Sequence, residues 1–299
     1  MFMHIIALSE LQFHNYSNLH SKKNYKQSVE YAKLKESNGY TPLYLGLVDS
    51  GNNVHAATLI LEKKINNKYR YGYVPNGYLI DFYHLDLVKT FTIELKSYLK
   101  KLNYVYIRVN PYINYQVYDS DFILKENNSG IIKELENLEY NFISNTSKYK
   151  MVLKATDIRS TYQNFKRSLR RNINNCLKKG ITVYQGGRQD QQDFLNLVGN
   201  QERYQKIIEL FQHPQNYFEF YLAKIDPETY INNYRYLIKK EQLNNDRLNQ
   251  KLKDPRIKKT KNLVERKMTS DHLLTTYNNE LINGTNILKK YPSGVIISG

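Results

Sequence analysis

Lys166, Arg167, Arg170 and Arg171 recur at four-residue spacing, which places like charges side by side on one helix face. Each such pair costs about 0.2–0.5 kcal/mol in an isolated helix, so the face calls for an anionic partner or for solvent screening. The block around it, residues 148–190, holds eleven Lys and Arg against Asp157 and Asp190, a net +9. A second block, residues 228–290, holds fourteen basic against seven acidic residues, a net +7, densest at Lys251, Lys253, Arg256, Lys258 and Lys259. The chemistry these blocks offer is binding of an anion such as RNA, DNA, phosphate or anionic lipid, and a protruding basic arm in the second block suits the phosphate backbone of a structured RNA. A solvated charged helix exterior has the same pattern, and both readings stand at this level.

Covalent and metal chemistry find little support. There is no Gly-x-Ser-x-Gly, no phosphate loop ending in Gly-Lys-Ser/Thr and no Gly-x-Gly-x-x-Gly after a strand. Seven scattered histidines show no His-x-x-x-His spacing, and the single Cys176 can build neither an internal disulfide nor a thiolate metal site. The one Gly-Gly pair, Gly186-Gly187, lacks the loop by which acetyl-coenzyme A enzymes hold pyrophosphate, which disfavours a coenzyme A-dependent acetyltransferase. Metal catalysis and coenzyme A chemistry both have little support from these residues.

The chain has 299 residues, 41% hydrophobic and 24% charged, with a mean hydropathy of −0.65: a globular composition at the polar end. The two basic blocks account for the whole formal +16, leaving nineteen charges of each sign elsewhere. Twenty-eight Tyr without Trp, beside abundant Asn and Lys, fit an AT-rich coding sequence, so tyrosine enrichment carries no functional weight. The N-terminus MFMHIIALSE lacks a basic export signal, and no stretch reaches eighteen apolar residues. A cytoplasmic location is expected.

The elements that would position these residues mix helices and strands, an α/β (α+β) pattern. From Leu43 to Ala155, short β-rich runs with turns, including the Pro75-Asn76-Gly77 turn, predict a sheet of hairpins. Ser28 caps a predicted helix stopped at Gly39, and Leu85–Leu102 forms another before the strand YVYIRVN. Ser160 or Thr161 is expected to cap a helix with the apolar stripe Phe165, Leu169, Ile173 and Leu177, ending at Gly180. Residues 191–225 are expected to be helical. From Glu228 to Lys290 the pattern predicts a helical hairpin broken at Asp254-Pro255, an antiparallel coiled-coil arm or two helices lying flat on the body. The predicted domains are 1–150, then 151–227 with 291–299, with 228–290 as the arm. The strand VIIS has little sequence left to pair with, so the second domain is expected to be incomplete.

Several of these segments together carry a resemblance. They are KQSVEYAKLKE (Lys26–Glu36), YVPNGYLIDF (Tyr73–Phe82), IRVNPYI (Ile107–Ile113), the basic helix ending CLKKGITVY, Glu202-Arg203, and the helical hairpin before VIISG. In order and spacing they resemble the FemABX family of peptidoglycan interpeptide-bridge aminoacyltransferases. The resemblance implies tandem acetyltransferase-like (GNAT-type) domains with an inserted coiled-coil arm. It also implies transfer of an amino acid from aminoacyl-tRNA to a peptide amino group of a muropeptide precursor, lipid-linked or nucleotide-linked, at the inner membrane face if lipid-linked. Two polyanionic substrates fit two basic blocks.

The resemblance also proposes site residues. Lys35 matches a lysine that contacts precursor phosphate in relatives. Tyr73, Asn76, Tyr78 and Asp81 match an acceptor cleft wall, although Asn76-Gly77 is also explained as a turn. Arg203, Tyr217 and Tyr221 match residues toward the same cleft. The family's acidic residue before proline is Asn110 here, which can accept a hydrogen bond from an amine but cannot act as a general base. Arg108 is expected on the opposite strand face. The tRNA-contact candidates are Lys166, Arg167, Arg170, Arg171, Lys251, Lys253, Arg256, Lys258 and Lys259. No catalytic residue is assigned. The reading from another class is a non-catalytic tRNA- or RNA-binding protein using the same basic helix and arm.

Overall fold

The computed structural model describes residues 2–143, 157–199, 201–211, 218–256 and 260–299. The chain divides into two compact units, 1–148 with 206–218 and 149–205 with 219–299. The short stretch 206–218 therefore groups with the first unit, and the helical hairpin groups with the second.

The first unit runs β1 (Met3–Ala7), α1 (Glu10–Leu19), α2 (Val29–Glu36), β2 (Thr41–Asp49), β3 (Val54–Lys64), β4 (Arg70–Gly77), α3 (Leu85–Lys101), β5 (Tyr104–Pro111), β6 (Gln116–Tyr118), β7 (Leu124–Asn127) and α4 (Ser129–Asn137). Its main sheet has the order β1-β2-β3-β4-β5. The hairpin expectation holds for β2 to β4; β1 adds antiparallel to β2 across two helices, and β5 runs parallel to β4. The reason is α3: parallel neighbours need a crossover, and a seventeen-residue helix supplies it.

Two apolar clusters cover the two faces of this sheet, and period-two alternation sorts the side chains between them. Leu45, Leu47, Ala56, Ile60 and Val74 pack with Val88, Phe91 and Leu95 of α3 and Ile131 and Leu135 of α4. Tyr44, Ala57, Leu59 and Leu61 pack with Phe13 of α1, Val29 and Ala32 of α2, and Phe211. With both faces buried, β3 shows the near-continuous apolar run of a central strand. Ser28 caps α2 by accepting from the Tyr31 amide at 3.1 Å, and Gly39 follows with φ +75°. A capping box of Ser9 and Gln12 starts α1.

The second unit begins, within the described residues, with α5 (Ile158–Asn164), α6 (Arg167–Lys178), β8 (Ile181–Gln185) and α7 (Gln191–Leu197). The expected single helix over 160–180 is two. Asp157 caps α5, not Ser160 or Thr161, and extended backbone at Phe165 and Lys166 separates it from α6. The apolar stripe stays largely uncovered, with Leu169 44% and Leu177 58% exposed. After α8 (Gln201–Phe211), β9 (Tyr221–Ile225) replaces the helix expected through residue 225. The strand β9 sits centrally in a three-stranded antiparallel sheet, between β8 and β10 (Val295–Ser298), so VIIS does find a partner.

Between β9 and β10 lie two long helices, α9 (Pro227–Lys253) and α10 (Lys261–Lys290). Asp226 caps α9 and Pro227 occupies its first turn, where no amide hydrogen is needed. The contacts Tyr230–Glu280, Tyr234–Tyr277 and Asn245–Ser270 run in opposite senses along the two sequences, so the helices pack antiparallel. Asn245 and Ser270 are buried, and with Glu241 and Asp271 they form a polar layer between the helices.

Candidate functional site

In the first unit, the candidate residues Asn76 and Asn110 meet where the C-terminal ends of β4 and β5 part. Their parallel register runs regularly from Tyr71↔Tyr106 to Val74↔Val109 and then shifts, with Gly77 opposite Pro111. Beyond that shift the link is made by side chains: Asn110 Nδ2 donates to Asn76 Oδ1 at 3.2 Å. Open ends of parallel strands are a recurrent place for ligands, because loops and strand termini leave a crevice there.

The turn beside this strand end is held by buried hydrogen bonds. Gln27, 0% exposed, donates from Nε2 to the Pro75 carbonyl at 2.7 Å and to Leu59 O at 3.3 Å, while its Oε1 accepts from Leu59 N at 2.8 Å. Asn24 donates to the Asn76 carbonyl at 3.1 Å. Asn76 itself has φ +47°, a left-handed conformation that asparagine tolerates better than most residues. A side chain on Gly77 would meet Val74 Cγ1 at 2.4 Å, so the turn accepts only glycine there without movement.

The proposed residues fall into different places. Tyr73 and Arg108 are register partners on adjacent strands, and Arg108 and Asn110 are both exposed. Arg108 is thus on the same face as Asn110, contrary to the expectation, because residues two apart on a strand share a face. Asp81 is exposed, accepts from the Tyr83 amide at 3.0 Å and lies near enough to His20 to raise its pKa. Burial outweighs that effect, and the His20 pKa is lowered overall. Tyr78 does not line a crevice: it is 1% exposed, packs against Phe82 and Phe91, and shares a hydrogen bond with Tyr140 at 2.5 Å. Burial, with Tyr140 alongside, holds its phenol well above the usual range. The expected cleft residue Tyr78 is therefore a core residue.

Lys35 closes α2 half-buried, its ammonium 5.3 Å from the Tyr31 ring centroid. Tyr31 meets Tyr25 edge-on at 5.7 Å, and Lys26 sits 5.7 Å from the Tyr25 ring. Lys22 lies 5.9 Å from the Tyr83 ring. Asn24 thus ties the segment Lys22–Gln27, with its three lysines and Tyr25, to the Asn76 turn. Sequence reasoning missed Lys22, Asn24 and Tyr25, although a run of Lys22-Lys23-Asn24-Tyr25-Lys26 ahead of a capped helix was visible.

Arg203 and Tyr221 belong to the second unit, where Tyr221 is 51% exposed at the start of β9 and bonded to Glu219 at 3.1 Å. Tyr217, Lys258 and Lys259 lie outside the described residues. On α6, Arg167 and Arg171 are exposed, while Arg170 donates to the Gln163 carbonyl at 3.1 Å. Lys166 stands at the N-cap of α6 and is exposed. Lys251 and Lys253 are exposed in the last turn of α9, and Arg256 forms an ion pair with Asp254 at 3.0 Å. Close to a helix C-terminus, such cations are favoured by the helix dipole, so part of this basic character has a local reason.

A family model described as FemAB family matches residues 8–299. The chain is similar to Aminoacyltransferase FemB of Staphylococcus epidermidis, 27% identical over 263 residues, covering 83% of this chain and 63% of that protein. It is similar to Aminoacyltransferase FemA of the same organism, 29% identical over 140 residues, covering 46% of this chain and 34% of that protein. The crystal structure of FemX superimposes with a TM-score of 0.63 at 15% identity, covering 98% of this chain and 75% of that one, a likeness of fold. The chain thus spans 63% of the length of the FemB relative.

Proposed function

The chain belongs to the FemAB family, and from that membership we propose that it moves an amino acid from aminoacyl-tRNA to a peptide amino group of a peptidoglycan precursor. The match across residues 8–299 is the observation that carries this reading. The acceptor amine attacks the ester carbonyl, an amide bond forms, and the bond to the tRNA 3′ ribose oxygen breaks, that oxygen leaving as a hydroxyl. Because the ester is already activated, the protein has chiefly to align the amine and stabilise the developing oxyanion. No covalent nucleophile is required.

In this reading the crevice at the ends of β4 and β5 receives the acceptor. Lys35 meets its phosphate, and Tyr73, Asn76, Asp81 and Asn110 line its path. The exposed cations of α6 and of the α9–α10 hairpin take the tRNA backbone. The two units are tandem acetyltransferase-like domains with a boundary in the sequence near residue 150, and α9 and α10 form a coiled-coil arm. The parallel β4–β5 pair and the antiparallel helix contacts support that assignment. Among the described residues no helix is long and apolar enough to cross a membrane. A lipid-linked acceptor would bring the protein to the membrane face through its substrate.

The test supplies a muropeptide precursor with either aminoacyl-tRNA or free amino acid plus ATP. Transfer is expected only from aminoacyl-tRNA, and equal rates from both donors would overturn the proposal. The uncovered basic face of α6 favours one competing reading, a tRNA-binding protein without transfer activity; retained tRNA affinity with no transfer would establish it.

A further inference from the structure

Three asparagines form a continuous path between the basic turn and the strand end. Asn24 is 9% exposed and bonded through both side-chain polar atoms: Oδ1 accepts from the Lys26 amide at 3.2 Å, and Nδ2 donates to Lys22 O at 3.2 Å and Asn76 O at 3.1 Å. Asn76 then accepts from Asn110 at 3.2 Å. An amide that donates through its nitrogen in a fixed direction has its oxygen directed away from that bond, so Asn110 presents an acceptor outward. Lys22 and Lys26, the residues whose backbone Asn24 holds, rest their ammoniums on Tyr83 and Tyr25, and neither forms an ion pair with a carboxylate among the described residues.

We propose that Asn24 couples an anion seat at Lys22 and Lys26, separate from the phosphate contact assigned to Lys35, to the Asn110 carboxamide through Asn76, so that engaging a second phosphate of the acceptor orients the oxygen that accepts the amine's hydrogen bond. The inference rests on the transfer reading for the role of Asn110, and it assigns Asn24 and Asn76 as positioning residues. Its physical basis is that binding energy from a remote part of a substrate speeds the reaction only when something transmits it to the reacting groups. A buried asparagine that ties the backbone of two lysines to the strand end is such a link. The coupling explains why a polar residue is buried at a turn that a smaller side chain could also form.

The full chain, labelled with 15N-asparagine, is titrated with inorganic pyrophosphate while the side-chain amide resonances are followed. Pyrophosphate is expected to shift the Asn110 resonance in the wild type. In Asn24→Asp, which keeps the acceptor for Lys26 and loses the donors to Lys22 O and Asn76 O, pyrophosphate should still bind through the lysine ammoniums but leave that resonance in place. Asn76→Gly, which suits the positive φ, should also uncouple Asn110 and serves if Asn24→Asp fails to fold. Absence of pyrophosphate binding, an unmoved Asn110 in the wild type, or an equal shift in both variants would overturn the proposal. A kinetic arm compares acceptors with and without pyrophosphate. Loss of the group should lower wild-type kcat about tenfold and leave kcat of Asn24→Asp unchanged, with KM rising in both. If the resonance coupling is present and no transfer occurs at all, the transfer reading fails and the coupling stands.

Discussion

The Gln27 side chain forms a two-way hydrogen-bonded pair with the backbone of Leu59, accepting from its amide at 2.8 Å and donating to its carbonyl at 3.3 Å. Thirty-two residues apart in sequence, the two lock the turn before α2 onto the central strand, and the same amide reaches Pro75 O at 2.7 Å. Replacing Gln27 with Leu leaves buried backbone groups without partners, each worth about 1–3 kcal/mol. Gln27→Leu is expected to lose about 3 kcal/mol in urea unfolding of the full chain, and a change below about 0.5 kcal/mol would show that the latch is dispensable.

Tyr78 offers a contrast between a core role and a cleft role. Tyr78→Phe removes only the hydroxyl bonded to Tyr140 and is expected to cost about 1 kcal/mol of stability. Acceptor KM should stay within about twofold of wild type, as for a side chain that substrate never meets. A tenfold rise in KM with unchanged stability would return Tyr78 to the crevice wall.

Arg167 and Arg171 are predicted to meet RNA phosphates. Replacing both with Ala should flatten the dependence of log K for tRNA on log salt by about 1 to 2, since each lost contact releases about one counterion fewer. Filter binding from low to moderate salt reads this directly. An unchanged slope would make the α6 face a solvated surface.

Asp49 sets the acid limb of stability. His55 bonds to its carboxylate at 2.9 Å, followed in weight by the Asn53 amide and side chain, and these hold its pKa well below the usual carboxylate value. A depressed folded-state pKa stabilises the fold above the unfolded carboxylate pKa and loses that contribution as pH falls through the folded one. Stability attributable to Asp49 is therefore complete above about pH 5 and declines below about pH 4. Asn in its place should lower stability at neutral pH and flatten the decline; an identical pH profile in thermal unfolding would refute the assignment.

Local signals carried much of the fold. The helix expected over Leu85–Leu102 is α3, Leu85–Lys101, because its apolar periodicity is a local signal, and the chain leaves the helix at Asn103, which has φ +57°. Ser28 capped the helix it was expected to cap. The parallel pairing of β5 was also available, since a helix of that length between strands implies a crossover, yet the hairpin-rich run ahead of it masked the change. What could not be read locally were the long-range bonds. Asn24 and Asn76 are 52 positions apart, and in a chain rich in asparagine neither stands out. The break at Phe165 and Lys166 lacked a proline or glycine, so a continuous apolar stripe concealed it. Tyr78 followed the cleft wall in sequence but turned inward, since alternation along the chain does not survive the irregular turn at Asn76 and Gly77.

The most direct measurement is mass spectrometry of a muropeptide precursor incubated with the protein and aminoacyl-tRNA. A gain of one aminoacyl residue on the acceptor peptide's amino group, abolished when the tRNA is digested beforehand, is the predicted result. An unmodified precursor recovered from a reaction in which the protein binds both substrates would contradict it.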